Sequence, residues 1–416
     1  MSDSAASIRT LTIRSIGAQG DGVAQDGAFV ALALPGERVS VAGSGERLEL
    51  IDILDRSAER VAAPCPHFGV CGGCALQHWA PAPYLAWKQE QVRAGLARVR
   101  IETDIVMAFA ARPGTRRRVA LHARREGREI VLGFKGRRSW SVQAIEVCTV
   151  ADPAITAALP ALRALAAPFL EHPKSAPILH VTATQTGLDV DVTGVERKGG
   201  GLSADARGRA ARACAGTTIA RVTLAGETVY QAHAPMVRLG PAVVALPPGA
   251  FLQAVPAAEE AMAAVMLEAA AGARRIADLY CGVGTFTFRL AALAPVLAAD
   301  ASTGAVAALK AAMSGAPGLK PITAETRDLD RRPLLADEMK KIDVAVFDPP
   351  RAGAAAQSAQ LAASKVARVI GVSCNPATFA RDAATLIDGG FGLDRVAVVD
   401  QFLWSPHIEL VGVFSR

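Results

Sequence analysis

Two strand ends near the C-terminus carry the residues best suited to reaction chemistry. The segment IDVAVFDPPRAG runs an apolar strand into Asp348, Pro349 and Pro350, a rigid turn that holds a carboxylate at the carboxyl edge of the strand. The next strand, ARVIGVSCNPATFARD, delivers Cys374 to the same edge, with Asn375 and Pro376 turning the chain into a helix that carries Arg381. Close to the terminus, DQFLWSPHIELVGVF places Glu409 on a further strand, on the face of His407 by alternation and opposite Ile408. A thiol and a carboxylate so placed suit methylation of a pyrimidine at C5. Thiolate addition at C6 turns the unreactive C5 into an enolate carbon that attacks a sulfonium methyl; a base then withdraws the C5 proton and the thiol leaves. In this scheme Cys374 is the nucleophile and Glu409 the general base, while Asp348 and Gln253 are candidates to hold N3 and O4 and stabilise the enolate. On its own, Glu409 reads equally as a surface strand residue.

A methyl donor needs its own pocket. RRIADLYCGVGTFTFRLA is an apolar strand ending in Asp278, a turn with Gly282 and Gly284, then a helix, so the backbone can approach a nucleotide and the helix N-terminus offers N–H groups. Thr287 stands where a dinucleotide fingerprint would place its third glycine, which disfavours NAD. Asp300 closes the next strand, VLAAD, where its carboxylate can accept from both ribose hydroxyls of an adenosyl ligand, and Asp328 follows a third stretch on the adenine side. Three acids in series at strand ends point to S-adenosylmethionine.

Seven cysteines are too few and too unevenly spaced for a disulfide framework. Cys65, Cys71, Cys74 and the distant Cys148 group as Cys-x5-Cys-x2-Cys plus one further ligand, with Gly72 and Gly73 giving the turn its freedom. Four thiolates suit a [4Fe–4S] cluster or a tetrahedral zinc, and spacing leaves both open. His67 inside the loop is an alternative ligand or a solvated residue, and Cys214 reads as a small core side chain. Between Arg112 and Arg138 lie nine arginines and Lys135 against two glutamates, a net of +8 that exceeds the +6 of the whole chain. Such a run, Arg116, Arg117 and Arg118 within it, suits a grip on a polyanion while a base is extruded toward Cys374, or is simply a soluble surface.

The elements that must position these residues follow from patterning. At 416 residues, 51% hydrophobic and 20% charged, the chain should fold throughout as several domains, and a lone small module is excluded. Residues 8 to 54 alternate apolar runs with Gly and Pro turns, the pattern of a small β module. Apolar residues at Leu85, Val92, Leu96 and Val99 predict a helix over Pro83 to Val99, abutting the cysteine loop. Strands are expected over 178–195 and 218–252, with a Gly-rich charged turn at Glu196 to Gly201, and a helix over Pro256 to Ala271. From Arg274 onward, strands alternate with Ala-rich helices, the signature of a doubly wound parallel sheet. The expected fold is α/β: a β-barrel over 1–58, a central α+β unit over 59–250 carrying the cysteines and basic run, and a Rossmann-like methyltransferase unit over 251–416. Met1 to Ile16 shows no leader pattern and no run reaches membrane-spanning length, so a cytoplasmic protein, by default a monomer, is expected.

Taken together, the motifs SIGAQGDGVAQDGAFVALALPGERV, CPHFGVCGGC with Cys148, AFLQ, DLYCGVGTF, DPPRAG, SCNPATFARD and HIEL make the chain resemble, over nearly its full length, the RNA uracil-5-methyltransferase family. The resemblance is to the branch with an N-terminal TRAM domain, an OB-like RNA-binding barrel, and an iron–sulfur cluster, acting on 23S ribosomal RNA. It implies cluster ligands at Cys65, Cys71, Cys74 and Cys148, a nucleophile at Cys374 and a base at Glu409. It also implies methyl-donor contacts at Gln253, Tyr280, Thr285, Asp300, Asp328 and Asp348, beside the Gly282 and Gly284 turn. Two departures stand out: Ala254, Val255 and Pro256 follow Gln253 where the family usually has Asn, and Leu403, Trp404, Ser405 and Pro406 replace the usual Pro and Thr ahead of His407. Rival readings are a transfer RNA substrate, a base amino-methyltransferase suggested by DPPR, which would need no thiol adduct, and a non-catalytic RNA-binding protein.

Overall fold

Short apolar runs broken by tight turns close into a small barrel at the start of the computed structural model, which describes residues 8–196 and 202–416. Its strands are Arg9–Ile16, Gly22–Ala24, Phe29–Val30, Arg38–Ala42 and Arg47–Asp55, with the first pairing the fourth to complete the ring and leave no free edge. Ile13, Val30, Val39 and Val41 fill it. The part of the expected turn at 197–201, like Met1 to Ser7, lies outside the described residues.

The helix predicted over Pro83 to Val99 runs Pro81–Ala97, entered through an extended Ala80 with proline in its first turn. It buries Tyr84, Trp87, Val92 and Leu96, and packs on helix Pro376–Asp388 and strand Asp104–Ala110. A central seven-stranded sheet follows, with Arg118–Glu126 flanked by Ile178–Thr184 and Glu129–Lys135. Helices Leu159–Ala166 and Ala204–Cys214 share its core, and Cys214 is fully buried there, as expected of a core residue.

The C-terminal sheet has eight strands. Ile322–Thr326, Val296–Asp300, Ile276–Leu279, Val344–Phe347 and Arg368–Ser373 run parallel in that order, the doubly wound arrangement that alternation of strand and helix implies. Glu409–Ser415 then inserts antiparallel between Arg368–Ser373 and Gly392–Asp400. Segments from before residue 250 also contribute to this sheet and its core. Strand Asp104–Ala110 joins this sheet by parallel pairing with Gly392–Asp400, covering what would otherwise be an exposed edge. The hairpin Met236–Leu239 with Ala242–Ala245 also buries Val237, Leu239 and Val244 in the C-terminal core. Among the described residues no helix is long and apolar enough to cross a membrane.

Candidate active site

Strand register brings the thiol and the carboxylate together. Ser373 lies opposite Leu410 at the end of the antiparallel pair, so Cys374, just past its strand, and Glu409, the first residue of the next, meet at the same edge, near enough for the Glu409 charge to act on the thiol. Asp348 follows Phe347, which pairs with Gly371 on the other side of the Cys374 strand. Three reactive side chains thus share one sheet edge. Glu409 is 4% exposed, so the reading of it as a surface strand residue fails: its strand is flanked on both sides and Ile408 packs in the core beside it.

Cys374 precedes Asn375, which caps helix Pro376–Asp388 by accepting from Ala377 N at 3.1 Å. Asn375 also donates from Nδ2 to the Arg351 carbonyl at 3.3 Å, tying the turn to the DPPR segment. Burial pushes the Cys374 thiol up to about 11, with the Glu409 and Asp348 charges adding to it and the Arg351 guanidinium opposing. Glu409 and Asp348 are both held above the usual carboxylate range, first by burial, then by neighbouring carboxylates: Asp348 acts on Glu409, and Asp278 on Asp348. This is an environment that favours neutral thiol and protonated acid at rest and makes each a stronger base once ionised.

An amide chain links these carboxylates. Gln253 Nε2 donates to Asp348 Oδ2 at 2.8 Å. Gln401 Nε2 donates both to Gln253 Oε1 at 2.8 Å and to Glu409 Oε2 at 2.7 Å, while its Oε1 accepts from Ala254 N at 2.8 Å. Gln401 was not singled out from sequence. Its signal was a second polar residue following Asp400 at the end of an apolar strand, at the same edge as Glu409.

Arg117 and Arg118, expected to grip RNA, hold this segment instead. Arg117 is buried, donates from Nε to the Gln253 carbonyl at 2.9 Å and forms an ion pair with Glu259. Arg118 donates to the Leu252 carbonyl at 2.6 Å and lies over the Phe251 ring. Arg116 donates to the Arg118 carbonyl at 2.9 Å and lies over the Phe402 ring, with burial holding its guanidinium below the ordinary value. The phosphate reading fails for Arg117, because a buried guanidinium paired with a carboxylate has no face left for an anion. Arg137 and Arg138 are also engaged, both on Asp21 of the barrel, which Arg47 joins at 2.8 Å.

The glycine turn lies at the carboxyl edge of strand Ile276–Leu279. Tyr280, Gly282 and Gly284 all have positive φ, at 62°, 55° and 94°. A side chain at Gly284 would strike the Phe288 ring, so only glycine lets the turn close on its helix. A tyrosine held at positive φ is strained backbone of the kind found at ligand clamps. Its hydroxyl donates to Asp330 at 3.0 Å, a partner not singled out from sequence. Asp300 accepts from Gly282 N at 2.9 Å and Ser302 N at 2.7 Å, one bond per oxygen, leaving a lone pair on each for a ribose diol. Asp328 is half-exposed and caps the turn at Asp330 and Arg331. Asp278 is buried and accepts from Thr287 Oγ1 at 2.5 Å, a structural contact inside the turn. Thr285 is buried, and its carbonyl accepts from Arg289, whose guanidinium also pairs with Glu259 and so reaches Arg117.

Cys65, Cys71, Cys74 and Cys148 line one cavity of about 1010 Å³, and Cys374 and His407 line it too. All four are free thiols. Gly73 N donates to Cys71 Sγ at 3.4 Å, and Cys71 and Cys74 are pushed up chiefly by burial, with the other cysteines of the set contributing. Among the described residues no three His, Cys, Asp or Glu side chains stand close enough to hold a single metal ion. His67 Nε2 accepts from Glu146 N at 3.5 Å, holding the segment that leads to Cys148.

A family model described as tRNA (uracil-5-)-methyltransferase matches residues 243–416. The chain is 65% identical, over 98% of its length and all of the relative, to a Caulobacter vibrioides protein named an uncharacterized RNA methyltransferase. It is 35% identical to the 23S rRNA (uracil(1939)-C(5))-methyltransferase RlmD of Halomonas elongata, over 96% of this chain and 88% of that one. The tRNA (uracil-54, C5)-methyltransferase of Pyrococcus abyssi, solved with S-adenosyl-L-homocysteine, shares the fold: the TM-score is 0.75 over 97% of this chain and 99% of that one, at 22% identity.

Proposed function

Because the chain belongs to the S-adenosylmethionine-dependent RNA (uracil-5-)-methyltransferase family, we propose that it methylates C5 of a uridine in 23S ribosomal RNA through a covalent adduct at Cys374. The observation that carries this reading is the strand pairing that brings Cys374 and a buried Glu409 to one sheet edge, with Asp348 at the adjacent strand end. Cys374 loses its proton to solvent and its thiolate bonds to C6 of the uracil; the C5 carbon of the resulting enolate takes the methyl; Glu409, in its ionised form, removes the C5 proton as the C6–S bond breaks and the double bond re-forms. S-adenosylmethionine supplies the electrophilic methyl. Asp300 would hold its ribose hydroxyls, with Tyr280, Thr285 and Asp328 around the same turn. Asp348 and Gln253, already hydrogen-bonded to each other, would face the polar edge of the base. The DPPR turn then serves uracil recognition, and no exocyclic amine is required.

The four free cysteines line a common cavity, and four thiolates suit a [4Fe–4S] cluster, with a tetrahedral zinc as the alternative. A bound cluster would tie the 65–74 loop to Cys148. The ribosomal substrate is favoured by the near full-length likeness to the Halomonas elongata enzyme. A transfer RNA is the second reading, favoured by the family model over 243–416.

The test uses RNA substituted with 5-fluorouridine, whose C5 fluorine cannot leave as a proton. Wild type should be trapped as a covalent protein–RNA adduct, and Cys374→Ala should form none. Methylation that persists in Cys374→Ala would overturn the thiol route. Transfer to transfer RNA and not to unmodified ribosomal RNA would replace the substrate.

A further inference from the structure

Trp140 is 85% exposed, the most exposed large apolar side chain among the described residues. It stands at the tip of a turn built to hold it. Gly136 N donates to the Ser141 carbonyl at 2.9 Å, Ser139 N to the Gly136 carbonyl at 3.1 Å, and Ser141 N to Ser139 Oγ at 3.1 Å. Arg138 adopts a φ of 50° inside this turn. Both flanks are anchored. Arg137 and Arg138 pair with Asp21 of the barrel, and the Lys135 carbonyl accepts from Gly72 N of the cysteine loop at 2.9 Å. Lys135 Nζ lies 3.9 Å from the centre of the Trp140 ring, covering one face with a cation and leaving the other to solvent.

An indole kept in water costs the burial free energy it could have contributed, and here it is held there by a hydrogen-bonded, strained and doubly anchored turn. Lys135, Gly136, Arg137 and Arg138 line the same cavity as Cys374, and Trp140, two residues beyond Arg138, has its ring against Lys135 of that lining. We propose that Trp140 is a stacking platform for a base of single-stranded RNA flanking the target uridine, with Lys135 set to meet the adjacent phosphate. Aromatic stacking accepts any base, and a cation beside the ring gives the pairing of π-face and charge that single-stranded nucleic acid requires. The inference rests on the reading of Cys374 as the reactive centre of this cavity.

The test measures binding of unmodified ribosomal RNA and of a single-stranded oligouridylate to wild type, Trp140→Ala and Trp140→Phe, at several salt concentrations, beside 5-fluorouridine adduct formation at saturating RNA. Trp140→Ala should weaken binding by roughly 5- to 100-fold, the loss of one stacked base, and raise KM with kcat little changed. Its salt dependence should match wild type, since no phosphate contact is removed, and Trp140→Phe should restore most of the affinity. Adduct formation at saturation should persist in both variants. Binding by Trp140→Ala within twofold of wild type, with the wild-type adduct intact, would overturn the platform alone. A change in oligomeric state without a change in RNA affinity would overturn it in favour of contact with a second copy. Wild type that binds neither RNA would remove the proposed function and the platform together.

Discussion

Replacing Lys88 with methionine should cost about 3–5 kcal/mol of stability, the range for breaking one partner out of a buried ion pair. Lys88 and Asp400 are both 0% exposed and form an ion pair. The ammonium uses its remaining hydrogens on the Phe402 carbonyl at 3.2 Å and the His407 carbonyl at 2.7 Å. Without it, Asp400 keeps the Tyr84 hydroxyl at 2.7 Å and Phe402 N at 3.2 Å but loses the cation paired with it among the described residues, and two carbonyls lose a donor. Methionine fills nearly the same volume, so the loss is electrostatic and not a cavity. Against a typical net stability of about 5–15 kcal/mol, this is a large fraction, readable as a lowered denaturation midpoint at unchanged m-value. The segment freed is the one that leads into Glu409, so kcat at a permissive temperature should fall about tenfold or more, as two anchoring bonds of ~1 kcal/mol each are lost. Adding Asp400→Asn should recover a substantial part of the stability, because the uncompensated charge is gone. A single variant within about 1 kcal/mol of wild type, or a double variant no better than the single, would refute the reasoning.

Gln401→Leu removes the donor shared by Gln253 and Glu409; kcat should fall about 10- to 100-fold with KM unchanged, and methylated covalent adduct should accumulate because proton removal becomes slow. Glu409 is held above its unfolded value by burial and by Asp348, so the folded state binds its proton more tightly. The ligand-free protein should therefore lose stability as pH rises from the ordinary carboxylate range through the raised folded value, and Glu409→Gln should flatten that slope in melting temperatures taken from about pH 5 to about pH 9. Cys148→Ser should lower bound iron and the melting temperature together; iron content equal to wild type would remove Cys148 from the ligand set.

The parallel sheet and its edge were legible because short apolar strands lead directly into Asp300, Asp348 and Cys374, residues whose placement at carboxyl ends follows from topology, whereas Asp278 falls inside its strand. The barrel was legible from its turns. What could not be read is whatever depends on pairing across long stretches of chain. Asp104–Ala110 joins a strand almost three hundred residues away, and nothing in its alternation says which edge it will cover. Arg117 and Arg118 sit in a basic run that any count of charge assigns to a surface, yet their partners are the Gln253 and Leu252 carbonyls and Glu259, supplied by a distant segment. Lys88 lies in helix Pro81–Ala97, and its buried partner Asp400 comes from the far end of the chain. Gln401 and Asp330 act through other side chains, and the weak mark that Gln401 leaves, a polar residue after Asp400 at a strand end, does not name its partners.

The segment from Leu403 to Pro406, where the sequence departs from its family's usual Pro and Thr, is the meeting point of the two halves of the site. Trp404 adopts a φ of 56° and turns its carbonyl toward the cysteine loop, where it accepts from Ala75 N at 2.8 Å and Leu76 N at 3.0 Å. Its own N–H donates to the Tyr84 hydroxyl at 2.9 Å, and Tyr84 donates to Asp400. Leu403, Ser405 and Pro406 line the cavity that the cysteines and Cys374 share. Main-chain bonds of this kind depend on backbone shape and not on the side chains in the segment, so the altered sequence is compatible with the docking it must perform. Ala75 and Leu76, directly after the cysteine loop, therefore hold the Trp404 carbonyl, the Trp404 turn and Lys88 hold the approach to Glu409, and Gln401 holds Glu409 itself. Each step is a contact between neighbours, so a group that orders the cysteine loop would stabilise the base of the reaction without touching substrate.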